Sequence, residues 1–417
     1  MTILKPFRSI RPTKELASKV AAPPYDVMNS LEAKEIAKDN PYSFLHIDRA
    51  EIDLDSDIEL DDKRVYEKAG ENLRYMIEKE ILIQDKRKKL YIYQQTMNDK
   101  SQTGIVGCLS VDDYMDNKIK KHENTIEDKE KDRTNHVYYC NAHTGPIFLT
   151  YRSKDNIKNI MNEWISKNSP IYDFTSEDGV NHRAWTIDDD EVINSLIGLV
   201  GEIDSLYIAD GHHRAASAVA VVKMKGKDNP NYTGEEEFNY FLGVLFSDEE
   251  LNIMDYNRAV KDLNGYRETQ IIEKLKDKFQ IEKIKDNQPY KPENKHQFGM
   301  YLENQWYKLK AKEDSFDGKD RIESLDVSIL QNNILEPILG IEDPRTSSRI
   351  DFIGGIRGLE ELEKRVANDM AIAFSLYPTS IEDLMAIADE GKTMPPKSTW
   401  FEPKLRSGLF VHDLKSF

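Results

Sequence analysis

Residues 206–225, LYIADGHHRAASAVAVVKMK, change character at a single glycine. LYIAD reads as a buried strand. HHRAASAVAVVKMK reads as a helix, apolar nearly all round through Ala215, Ala216, Ala218, Val219, Ala220, Val221 and Val222. Gly211 stands between them, where the chain must turn sharply and a ligand can approach the backbone. Asp210 then lies at the carboxyl end of a strand, where open α/β sheets bind ligands. His212, His213 and Arg214 fall in the first helical turn. That turn already carries free N–H groups and a partial positive charge. Three more cation-capable side chains are unfavourable there unless an anion accepts them. The residues therefore predict an oxyanion or phosphate site, with Asp210 available to Mg2+ or to a hydroxyl. Zinc is the rival. Zinc-binding histidines on one helix are spaced i,i+4, whereas sequence neighbours diverge by about 100°. The plain alternative is that these histidines only satisfy local hydrogen bonds.

Upstream, KKHENT (120–125) brings a second polar cluster to a predicted helix start. Thr125 followed by Asp128 has capping-box spacing and places that start near Ile126. On the helix, Ile126, Arg133, Val137 and Cys140 share one face, so Arg133 points where the apolar residues point. Glu123 suits a general base toward a hydroxyl. Lys121, His122 and Arg133 suit phosphate neutralisation. The competing reading is a solvated charge run, since IEDKEKDR is plainly charged.

Weaker candidates are Tyr25 and Asp26 in the stiff loop AAPPYDV, and His46 on an apolar strand in NPYSFLHI, where a structural role is expected. Arg345 and Arg349 in DPRTSSRIDFIGG fit either a carboxylate or phosphate contact or a turn with ion pairs. No GxxxxGK[ST], kinase Gly-rich loop or GxGxxG is present, so a nucleotide site must be of another type.

Strands and helices alternate around the opening motif. KLYIYQQTM and TGIVGCLSV read as strands joined by NDKSQ, and GPIFLTY as another. KDNIKNIMNEWISK and DDDEVINSLIGLV read as helices, PIYDF with HRAWTI as a hairpin, and EFNYFLGVLFSDEEL as a buried strand. The pattern is a mixed α/β core. Residues 1–85 read as an N-terminal extension, 86–265 as the core, 266–325 as a polar inserted lobe and 326–417 as a segment completing the fold. The lobe should hold a helix at 268–279 and the hairpin FGMYLENQWYKLKA.

Net charge is −17, from 58 basic and 75 acidic residues, which disfavours a nucleic-acid partner. Two cysteines make no disulfide framework. No run of 18 apolar residues occurs, and the first residues have no apolar signal segment, so a cytoplasmic protein without a membrane partner is expected. Oligomeric state is not readable.

Eight motifs, AAPPYDV, NPYSFLHI, KHENT…DR, GPIFLTY, YIADGHHRAASA, DYNRAVKDL, DPRTSSRIDFIGG and MPPKSTWFEPKLRSGLFVH, occur in this order. Together they resemble the prokaryotic family known as domain of unknown function 1015, from end to end. Within it, SLYIADGHHRAASA also resembles the phosphate-holding turn of the ParB/sulfiredoxin-like fold. One branch of that superfamily, the free-serine kinases, phosphorylates L-serine from ATP or ADP. The resemblance implies a ParB/sulfiredoxin-like core in which Asp210–Arg214 handles phosphate. The expected function is transfer of phosphate from ATP or ADP to a small hydroxy amino acid, with Mg2+ as cofactor. On chemical grounds Glu123 is the base. Alternatives are a phosphatase of phosphoserine using His212 or His213, and a non-enzymatic ParB-like nucleotide-binding module. Arg214→Ala and Glu123→Gln should each abolish turnover and leave thermal stability nearly intact.

Overall fold

Alternating aliphatic and aromatic residues between 90 and 110 build the middle of the main sheet. In a computed structural model, which describes residues 1–286 and 288–415, Leu90–Met97 and Lys100–Ser110 form an antiparallel hairpin. Asn98 and Asp99 take φ of 49° and 62°, the primed-turn geometry that matches strand twist. The expected five-residue turn NDKSQ is thus two residues long.

The chain divides into two compact units, Met1–Leu251 with the segment from Pro403 onward, and Asn252–Glu402. Among the described residues the first unit holds a nine-stranded sheet. Its order is Ile119–Lys120, Leu206–Asp210, Ile147–Tyr151, Tyr240–Ser247, Lys100–Ser110, Leu90–Met97, Asn181–Ile187 and Tyr172–Thr175, with Leu4–Lys5 also on Lys100–Ser110. Pairing is antiparallel except where Leu206–Asp210 meets Ile119–Lys120 and Tyr240–Ser247 meets Ile147–Tyr151. Leu90, Ile92, Leu149, Trp185, Ile208 and Phe241 pack into one core with Ala215 and Ala218 of the helix His212–Asp228. Each fully buried Leu or Ile there contributes about 1.5–3 kcal/mol of transfer free energy.

The first 85 residues add a second core, in which Phe44, Leu45, Ile47, Ala69 and Leu73 meet Cys140, Ala142 and Val411. His46 corrects the expectation of a strand. It lies on the short helix Leu45–Asp48, with Nδ1 2.8 Å from Asp53. The capping-box reading at Thr125 is also corrected. Helix Glu127–Cys140 has Ile126 as its N-cap with no side-chain cap, and the Thr125 hydroxyl donates to Glu130 instead.

Among the described residues the second unit contains a six-stranded antiparallel sheet in the order Phe279–Lys283, Gln305–Ala311, Gln297–Leu302, Ile372–Leu376, Tyr256–Val260, Ile350–Gly354. This relocates the expected boundaries at 265/266 and 325/326. The polar stretch 266–325 does not stand alone, because its hairpin pairs through Ile372–Leu376 to Tyr256–Val260. Helix Glu268–Leu275 ends before the expected 279, where Phe279 opens a strand. The last residues return to the first unit, where Ser407 bonds Ala22 and Val411 bonds Ile10. Among the described residues no helix is long and apolar enough to cross a membrane.

Candidate functional site

Leu206, Tyr207, Ile208 and Ala209 are buried between two neighbouring strands. Pairing with Ile147–Tyr151 slips between Ile208 and Asp210, an irregularity that re-aims the strand end. Gly211 follows at φ 97°, in the left-handed region, and a Cβ on it would come 2.9 Å from Arg214 Nε. The helix buries His212, Ala215, Ala216, Ser217, Ala218 and Val221. Its opening turns are buried as expected, while Lys223, Met224, Lys227 and Asp228 are exposed. The turn is therefore mounted on packed structure, as a precise site requires.

Asp210 Oδ2 lies 3.4 Å from Lys404 Nζ and 3.6 Å from Arg214 Nη2. Burial opposes its ionisation, but Lys404, Arg214 and His212 outweigh that and hold the carboxyl well below its usual range. A carboxylate already neutralised by two cations is a poor divalent-metal ligand, so Asp210 does not fit the Mg2+ role expected of it. Lys404 was invisible in the sequence reading. Its only signal was the ordered, Pro- and aromatic-rich texture of the closing segment.

Arg214 Nη1 donates to Pro146 O at 2.6 Å, and its Nε is buried with no hydrogen-bond partner among the described residues. His212 and His213 do diverge. His213 Nε2 accepts the Ile126 N–H at 3.1 Å, pinning the start of helix Glu127–Cys140 to the turn. His212 faces His122, ring centroids 4.5 Å apart and perpendicular, and the His122 backbone N–H donates to His212 Nε2, nitrogen to nitrogen 3.5 Å. Burial drives both rings toward the neutral form, His122 down to about 4 and His212 well below its ordinary value. The side chain of Glu123 joins them: one ligand atom from each of His122, Glu123 and His212 lies within 4.8 Å of the others. The fold thus carries the KKHENT cluster to the turn.

Two further candidates converge there. The Arg133 guanidinium stacks on the Tyr25 ring at 3.9 Å, and both line a small cavity with Arg214, Gly145 and Ser407. Its volume is about 20 Å³, room for a water and not for a phosphate. Burial and Asp26 keep the Tyr25 phenol protonated, against the pull of Arg133 and Arg214. Asp26 and Lys121 are exposed beside this region in sequence. Arg345 belongs to the second unit and is held in a fork by Asp343 two residues away, at 2.7 Å. Arg349 pairs with Asp262. For both arginines the turn-and-ion-pair reading describes what is observed.

Among the described residues, His122, Glu123 and His212 form a group of three side chains that could hold a metal. Two imidazoles and a carboxylate are the donor set of catalytic zinc, whereas Mg2+ wants oxygens. Mg2+ therefore does not fit this trio.

Fold and site together define an α/β protein that presents a cation-rich turn at a strand end. The chain belongs to the family described as "Protein of unknown function (DUF1015)", whose model matches residues 4–328. No curated protein matches it. Similar solved structures include a free serine kinase mutant in complex with AMP, 13% identical, covering 75% of this chain and 92% of that one at a TM-score of 0.39. A conserved hypothetical protein from Pyrococcus furiosus is 14% identical, covering 75% and 97%, at 0.37. SbnI with C-terminal truncation from Staphylococcus aureus is 11% identical, covering 74% and 87%, at 0.38.

Proposed function

We propose that the chain is a phosphotransferase that moves a phosphoryl group from ATP or ADP to a small hydroxy amino acid, free L-serine. The observation that carries the reading is the meeting of Glu123 with His212 at the amino end of a buried helix, with Arg214 behind the turn. The amides of 211–214 and the helix dipole would receive the terminal phosphate. Arg214, Lys404 and Lys121 would offset its charge. Glu123 would take the proton from the serine hydroxyl as that oxygen attacks phosphorus. The bond from phosphorus to the bridging oxygen breaks, leaving ADP from ATP or AMP from ADP. Neutral His122 and His212 can donate or accept one hydrogen bond each without adding charge that would tie up Glu123. Incubating the chain with L-serine and γ-labelled ATP or β-labelled ADP should yield labelled phosphoserine. Folded protein that makes none with either nucleotide contradicts the reading.

The His122–Glu123–His212 donor set favours a second reading, metal-assisted hydrolysis of phosphoserine or a similar small phosphoester. There a bound zinc would supply an activated water. Phosphate release without nucleotide, lost on chelation and restored by Zn2+, would select it over the kinase.

A further inference from the structure

The second unit has a cavity of about 200 Å³ lined by Lys295, His296, Ser324, Asp326, Tyr377 and Thr379, with Asp383 at its rim beside Lys295. It is smaller than the roughly 300–1,000 Å³ taken by drug-sized ligands and suits a metabolite of amino-acid size. Its deepest polar group is Asp326, whose residue is 8% exposed. Oδ1 accepts the His296 N–H at 2.8 Å. Oδ2 is fully buried and has no hydrogen-bond partner among the described residues, while the Tyr377 backbone amide, like that of His296, favours the charged form of the carboxyl. A buried carboxylate oxygen left unmet costs about 1–3 kcal/mol or more, so a native chain that keeps one needs a reason. Burial pushes this carboxyl up to about 7, so a cationic donor arriving at neutral pH would draw it to the charged form.

The rest of the wall also asks for a donor. The Thr379 hydroxyl already donates to Ser398 O at 2.9 Å, which leaves it acceptor lone pairs. His296 Nε2 is committed to Ser324 O at 3.2 Å. His296 sits at φ 66°, in the left-handed region, held there by its N–H into Asp326. Backbone held in such conformations clusters at ligand sites. At the opening, Lys295 Nζ lies 2.5 Å from Asp383 Oδ2, and its side chain is 47% exposed, so the ammonium can turn to a ligand anion.

We propose that this cavity binds a free α-amino acid, its ammonium on the Asp326 carboxylate and its carboxylate on Lys295. The site is separate from the phosphoryl-transfer reading and stands without it. Calorimetry of the full chain with the proteinogenic L-amino acids, and with ethanolamine and glycolate as probes lacking one charge each, tests it. At least one amino acid should bind, and glycolate should not. Asp326→Asn should weaken that binding roughly ten- to hundredfold, while any serine binding that Glu123→Gln weakens and Asp326→Asn spares belongs to the candidate phosphate site. That pair separates this cavity from the candidate phosphate site. Asp326→Asn should melt no lower than the parent, since it removes an unmet charge. Lys295→Met, a partly exposed change that folding tolerates, should weaken amino-acid binding and leave ethanolamine binding as it was. Absence of binding by every amino acid, or binding that survives both Asp326→Asn and Lys295→Met, overturns the proposal.

Discussion

Arg214 does two jobs at once. Its Nη1 holds Pro146 O at 2.6 Å while Nη2 faces Asp210 at 3.6 Å. The sequence led us to expect that Arg214→Ala would spare stability, and these contacts correct that. The change removes a charge-assisted hydrogen bond worth about 1.5–3 kcal/mol and leaves Asp210 with Lys404 alone. We expect turnover to vanish and the urea midpoint to fall together. Arg214→Lys should recover part of the stability and little of the turnover, because an ammonium lacks the fork. Glu123→Gln differs in kind. It keeps shape at a half-buried site, so stability should stay within about 0.5 kcal/mol while turnover drops about 10²- to 10⁴-fold. Equal loss of stability in both variants would make Glu123 a structural residue.

Among elements, the strand–turn–helix is the most exacting. Gly211→Ala places a Cβ at φ 97° and 2.9 Å from Arg214 Nε. Strain of this kind costs about 1–3 kcal/mol, so denaturation should show a loss of that order, and an unchanged midpoint would mean the turn relaxes freely. This element was legible because period, glycine and polar cluster all pointed one way. The loop 120–126 was only half legible. Its charges marked it, but its docking on the turn rests on His213 reaching the Ile126 N–H and His212 meeting His122, contacts about ninety residues apart in sequence. For the same reason a local Thr125 cap looked sufficient and is not the one used. The zinc rival faded on i,i+1 spacing within one helix, yet the metal-capable trio draws His122 and Glu123 from a different loop.

For the whole molecule, the alternation of strands and helices made the α/β class legible. The unit boundaries were not, because sheet pairing joins Tyr256–Val260 to strands about a hundred residues later. Buried imidazoles give the chain a pH signature. Burial, with His412 beside one and Arg406 beside the other, pulls His143 and His182 from 6.5 down to about 3. On acidification the unfolded chain therefore protonates these groups first. Their stabilisation is complete above pH 6.5 and is lost below it, at about 1.4 kcal/mol per pH unit for each ring. Asp326 works in the opposite sense between 3.8 and about 7, since its folded carboxyl is the harder one to ionise. Comparing variants isolates one ring: His182→Asn should flatten the stability slope between pH 6.5 and 4 by about 1.4 kcal/mol per unit, and parallel slopes would show that His182 is not buried neutral. The central claim is that the turn Asp210–Arg214 holds the transferring phosphate beside Glu123. A crystal structure of the chain soaked with ADP and L-serine tests it most directly. The account predicts the β-phosphate on the amides of 211–214 and the serine hydroxyl on the Glu123 carboxylate, whereas phosphate bound elsewhere, with that turn bare, would contradict it.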